Sequence, residues 1–149
     1  MKTVQRVCGD MALRVPANWV DQSVATYVGP PGESGFRSNI VAVSRAHPGK
    51  VDLAAFAQNQ LPSLQELLPG FELIHHGPVL ATDGRERYKL SYAFTHAAGE
   101  ASLRLRQDQW YASHAHKILT LTLTTTAAEA EKMASVLDEI ALTTDFIRT

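Results

Sequence analysis

Arg87-Tyr88-Lys89-Leu90-Ser91-Tyr92-Ala93-Phe94 is the stretch whose reading decides the fold. Tyr88, Leu90, Tyr92 and Phe94 alternate with Arg87, Lys89, Ser91 and Ala93, and a period of two belongs to a β-strand that buries one face. Beyond a turn at His96-Ala97-Ala98-Gly99, Ala101, Leu103 and Leu105 alternate with Ser102, Arg104 and Arg106. Further on, Leu119, Leu121 and Leu123 alternate with Thr120, Thr122 and Thr124. Three consecutive alternating runs with short polar connections predict an antiparallel meander. Towards the N-terminus, Asp83-Gly84 is a type I′ hairpin signal, so Phe71–His76 and Val79–Thr82 should pair with the Tyr88 strand.

Further upstream, Met11, Leu13 and Val15 alternate up to Pro16, and residues 23–28 form a second strand candidate. Gly29-Pro30-Pro31-Gly32-Glu33-Ser34-Gly35 then reads as a loop, because its prolines lack the donor a ladder requires. Residues 39–45 carry Ile40-Val41-Ala42-Val43, apolar without alternation, as in a strand covered on two sides near mid-sheet.

Two helices are predicted. Asp52 can cap the first, whose stripe is Leu53, Phe56, Ala57, Leu61, Leu64, Leu67 and Leu68, with Gly70 as the stop signal. Pro62 removes a donor inside it, so the helix should kink near 58–62 or restart with Ser63 and Glu66 as a capping box. Thr126-Ala127-Ala128-Glu129 is a capping box before the last helix, whose stripe is Ala130, Met133, Ala134, Val136, Leu137, Ile140 and Ala141. The pattern is α+β, one antiparallel sheet with helices packed on it, and 149 residues without repeat or linker suit a single domain over 1–149.

Composition narrows the function. A formal net charge of −1 gives no electrostatic reason to expect nucleic acid or an anionic membrane surface. No run approaches the roughly 20 apolar residues of a membrane span, so direct membrane insertion is not expected. Lys2 and Arg6 precede no apolar stretch of signal-peptide kind, and the lone Cys8 suits a reducing compartment, so the expected location is cytoplasmic. Catalytic patterns are absent: there is no G-x-S-x-G elbow, no phosphate-binding glycine loop, and no thiol signature around Cys8. His114 and His116 could share a metal if extended, but nothing near them completes a coordination shell. His75 and His76 are neighbours in a strand and point apart. The chain is expected to be no enzyme and to hold no metal or cofactor.

Several segments together resemble the DcrB-related family, in particular its Eag branch of chaperones for type VI secretion effectors. They are Val15-Pro16-Ala17-Asn18-Trp19-Val20-Asp21-Gln22-Ser23, Val43-Ser44-Arg45, Leu67-Leu68-Pro69-Gly70-Phe71, Leu105-Arg106-Gln107 and Leu121-Thr122-Leu123-Thr124-Thr125-Thr126, in order over residues 10 to about 142. Gln107-Asp108-Gln109-Trp110 is more polar than that pattern. The resemblance implies a PsbP-like sandwich, with a curved antiparallel sheet and helices packed on one side. It also implies a homodimer that shields the apolar N-terminal transmembrane segments of a PAAR-containing effector before export. The positions that match the family's binding face are Val24, Thr26, Ala42, Gln60, Leu64, Leu68, Leu103 and Gln107. The alternative is a non-catalytic interaction domain of the same fold that binds a soluble protein.

Overall fold

The computed structural model describes residues 1–81 and 83–146. A hairpin of β1 (Thr3–Cys8) and β2 (Met11–Pro16) stands apart as its own two-stranded sheet. Then come β3 (Val24–Pro31), β4 (Arg37–Ala46), α1 (Leu53–Gln58), α2 (Leu61–Leu67), β5 (Glu72–Leu80), β6 (Glu86–Ala98), β7 (Ala101–His114), β8 (Lys117–Thr126) and α3 (Ala130–Thr143). The strands β3 to β8 form a six-stranded sheet in the order β3-β4-β8-β7-β6-β5, antiparallel throughout. The predicted meander is β6-β7-β8, and β4 is hydrogen-bonded on both sides, as its continuous apolar run requires.

Tyr88, Leu90, Tyr92 and Phe94 are buried with Leu105, Tyr111 and Ile118 beneath Leu53 and Ala57 of α1, while Leu61 and Leu64 of α2 pack at the margin. The intervening residues are buried too: Arg87, Ser91 and Ala93 are 3%, 0% and 6% exposed. On that side Trp110, Leu121 and Leu123 pack under Leu137 and Ala141 of α3. The helices therefore cover opposite faces of the sheet, not one side as expected. Small and polar residues on the α3 face, Ser91 and Asp108 among them, disguise a second interior as a solvated surface. Ionic ties assist: Lys89 Nζ lies 3.3 Å from Asp138 and 4.0 Å from Asp108, and sits over the Trp110 ring.

The helix break falls where Pro62 dictates. Asp52 caps α1, its carboxylate accepting from the Ala55 N–H at 3.1 Å. The chain restarts at Gln60, which puts Pro62 in the first turn of α2, where its missing donor would have had no helical partner. No Ser63–Glu66 box forms, and Leu67, expected in the apolar stripe, is 74% exposed.

Turn chemistry corrects three boundaries. Gly29-Pro30-Pro31 belongs to β3 instead of a loop, which is tolerable because β3 is an edge strand and its register shifts between Val28 and Pro31. The β5–β6 connection is longer than a two-residue turn: pairing ends at Leu80↔Glu86, and the Ala81 N–H donates to Arg85 C=O at 2.9 Å. Thr82 lies outside the described residues. β6 runs on to Ala98, so the turn is Gly99-Glu100. Half of the predicted capping box forms before α3: the Glu129 N–H donates to Thr126 Oγ1 at 3.3 Å. The Glu129 carboxylate instead accepts from the Glu33 N–H at 3.2 Å and lies so close to Gly32 that a Cβ there would clash with its Oε1.

Candidate interaction face

Directly opposed residues of an antiparallel sheet share a face, so the register gives the site row by row. On the α1/α2 side one row runs Val24–Val43–Thr120–Tyr111–Tyr88, from edge strand β3 across to β6. The next runs Thr26–Val41–Thr122–Gln109–Leu90, and the third Val28–Asn39–Thr124–Gln107–Tyr92. The β6 end of each row is sealed beneath α1 and α2. The β3 end is not: Val24 and Val28 are 48% and 55% exposed, Thr26 is exposed, and Val41, Val43, Thr120 and Thr122 are half-buried. Half of this face is thus a valine–threonine surface with no helix packed on it.

Among the matched positions, Val24 and Thr26 lie on the uncovered half. Gln107 stands at its margin, and Leu103 lies on the same face but packs against the core, as do Leu64 of α2 and Leu68 just after it. Gln60, at the start of α2, is half-buried, its amide 3.5 Å from Phe56 O. Ala42 does not join them. It pairs with Ala25 and Leu121, whose side chains point to the opposite face, and it packs with the α3 cluster. Even spacing within a strand fixes a common face only for that strand, and the face of β4 relative to β7 follows from register.

At the boundary between covered and uncovered halves the side chains form a hydrogen-bonded series. The Tyr111 hydroxyl donates to Gln109 Oε1. Gln109 Nε2 donates to the Tyr92 hydroxyl at 3.0 Å, the Tyr92 hydroxyl donates to Gln107 Oε1 at 2.6 Å, and Gln107 Nε2 donates to Thr124 Oγ1 at 2.9 Å. Burial pushes the Tyr92 hydroxyl up to about 12 and raises Tyr111 further still, so both remain donors at neutral pH. The polarity of Gln107-Asp108-Gln109 is explained here: the glutamines serve this series on one face while Asp108 binds Lys89 and Arg106 on the other. Sequence reasoning found Gln107 but missed Tyr92, Gln109 and Tyr111: the Tyr92–Gln107 link joins directly opposed residues of β6 and β7, the Gln109–Tyr92 link is diagonal, and Tyr111–Gln109 runs along β7.

A second apolar surface also escaped prediction. Val7, Met11, Trp19 and Val20, on or next to the β1–β2 hairpin, are 75%, 60%, 66% and 75% exposed. The hairpin leads into β3 through residues 22–23, whose carbonyls accept from the Arg45 guanidinium at 3.2 and 3.4 Å.

His116 has φ +61 in the β7–β8 turn, so it cannot project beside His114 as in an extended strand, and His114 packs against Phe146. Among the described residues no group of three or more His, Cys, Asp or Glu could hold a metal ion, and no helix is long and apolar enough to cross a membrane.

An antiparallel sheet with α1/α2 on one face and α3 on the other, half of the first face left uncovered, defines a PsbP-like α+β domain. Solved structures of that kind align over most of the chain. A protein of unknown function from Pseudomonas aeruginosa, PA94, superposes with a TM-score of 0.77 at 22% identity, covering 99% of each chain. The cyanobacterial PsbP of Synechocystis sp. PCC 6803 gives 0.54 at 14% identity over 87% of this chain and 82% of its own. LpqN of Mycobacterium tuberculosis, involved in cell envelope biogenesis, gives 0.52 at 13% identity over 94% and 87%. The sequence pattern of the DcrB family matches residues 11–143, and the chain belongs to that family. No curated protein matches it in sequence.

Proposed function

We propose that this chain is a cytoplasmic chaperone of the Eag kind, which holds the apolar transmembrane segments of a PAAR-containing type VI effector until export. The observation that carries this reading is the uncovered half of the α1/α2 face. Valines at Val24, Val28, Val41 and Val43 supply apolar area, and threonines at Thr26, Thr120 and Thr122 supply short hydrogen-bonding groups among them. A transmembrane helix needs that mixture. Its apolar side chains gain roughly 25 cal/mol per Å² covered, and its small and polar positions need partners once water is displaced.

The active form is a homodimer on this reading. A lone two-stranded hairpin is marginal in water, and the exposed Val7, Met11, Trp19 and Val20 offer an apolar surface for a second copy. Two open half-faces would cover more of a helix than one.

The test is co-expression with a PAAR-containing protein encoded beside this chain, in versions with and without its apolar N-terminal segments. Retention only by the version carrying those segments supports the chaperone. Equal retention of the version lacking them supports the alternative, an interaction domain for a soluble partner.

A further inference from the structure

The series Tyr111–Gln109–Tyr92–Gln107–Thr124 has a direction, and the direction has a consequence at its open end. With the Tyr111 proton on Gln109 Oε1, the Gln109 amide must turn its nitrogen to Tyr92. Tyr92, already accepting, must then give its own proton to Gln107 Oε1, which turns the Gln107 nitrogen to Thr124. Running the series backwards would satisfy the same contacts but strand the Tyr111 proton, in a residue only 1% exposed, without an acceptor among the described residues. A buried donor left unpaired costs about 1–3 kcal/mol. The observed direction leaves over the Thr124 hydroxyl instead, which is also buried at 5% exposed but rotates to suit its surroundings, whereas a phenol O–H is held near the plane of its ring. The second N–H of the half-buried Gln107 has no acceptor among the described residues and stands where the covered half gives way to the Val28–Asn39 edge, while the buried Thr124 serves as acceptor for the first N–H.

We propose that Tyr92 and Tyr111 are positioning residues. Through Gln109 they lock the Gln107 carboxamide so that its free N–H is presented to a bound segment, and so favour apolar segments that place a hydrogen-bond acceptor, such as a Ser hydroxyl, over Gln107 of β7. The proposal rests on the chaperone reading and adds a rule of selection to it. The threonines nearer β3 are hydroxyls free to rotate and to donate or accept, so they impose no such polarity. Gln107 differs because both ends of its amide are committed, and a flip would face its oxygen to Thr124 while leaving the Tyr92 proton unanswered.

Two synthetic peptides of roughly 20 residues, lysine-flanked for solubility, test it by fluorescence anisotropy with the full chain: one of Leu and Ala only, the other with two central Ala replaced by Ser. The wild-type chain should bind both and prefer the serine peptide by roughly threefold to tenfold, the worth of one net hydrogen bond. Tyr92→Phe, which keeps the ring, should lower affinity for the serine peptide more than for the all-apolar one and so erase that preference. Tyr111→Phe, acting from the far end of the series, should reduce the preference in the same direction. On a Gln107→Leu background, which has already lost it, Tyr92→Phe should add nothing. Equal weakening of both peptides by either tyrosine variant, or a preference that survives both, overturns the proposal. If Tyr92→Phe fails to fold, the Tyr111→Phe result decides. A wild-type chain that binds neither peptide refutes the chaperone reading itself, whereas binding of both without preference refutes only the selection rule.

Discussion

Replacing Val24 by Asp should separate binding from folding. Val24 is 48% exposed on edge strand β3, opposite Val43, so a carboxylate there keeps much of its water in the free protein. Surface changes of that kind lie within about 0.5 kcal/mol, and the thermal midpoint should hardly move. Once an apolar helix is laid over Val24, the charge loses that hydration. A carboxylate placed against a membrane-type segment costs on the order of 3 kcal/mol, so affinity should fall roughly a hundredfold. Leu103→Asp is the contrasting variant. Leu103 lies on the same face but is partly buried against the core cluster beneath α1, so a charge there disturbs the core and should lower stability by about 2 kcal/mol. The assay pairs thermal melts with anisotropy titration against an apolar peptide of transmembrane length. A Val24→Asp protein that melts normally and binds as tightly as wild type would refute the placement of the site. One that melts as badly as Leu103→Asp would show that β3 is covered within the chain.

Ala42→Asp should unfold or strongly destabilise the chain, checked by melts, because Ala42 packs under α3 with Leu121 and Ile140 instead of facing a partner. The β7–β8 turn places Ala115 and His116 at φ +45 and +61, conformations that favour Asn and Gly, so Ala115→Asn with His116→Gly should raise stability by about 1 kcal/mol in urea titrations. Alkaline stability should follow the buried tyrosines. The folded value of Tyr92 lies near 12, above its unfolded 10, so its contribution is complete below pH 10 and is lost as pH rises from 10 towards 12. Ultraviolet titration should show the Tyr92 phenolate forming late, and Tyr92→Phe should flatten the stability curve in that window.

Much of the sheet was legible because one residue in two carries it: Tyr88 to Phe94, and Leu119 to Leu123, declare strands by alternation alone. Pro62 announced the break between α1 and α2, since a proline cannot sit mid-helix without cost but suits a first turn. The side on which each helix lies was not legible. The α3 face of β6 is built from Arg87, Ser91 and Ala93, which read as surface until Leu137 and Ala141 are seen above that layer. β1 carries no strand signal because Val4 and Val7 do not alternate, and Pro30-Pro31 reads as loop because the sequence does not reveal an edge strand. The candidate site was half legible for the same reason. Val24, Thr26 and Gln107 share a face, but that Ala42 lies on the opposite one follows only from cross-strand register, and the Tyr92–Gln107 contact exists only once β6 and β7 are paired.

The central claim is that an apolar segment lies on the uncovered half of the α1/α2 face. Amide hydrogen exchange of the chain with and without an apolar peptide of transmembrane length tests it most directly. The account predicts slowed exchange in β3, β4 and β8, over Val24–Val28, Asn39–Val43 and Thr120–Thr124, with no change in α3. Protection confined to α3, or no protection at saturating peptide, would contradict it.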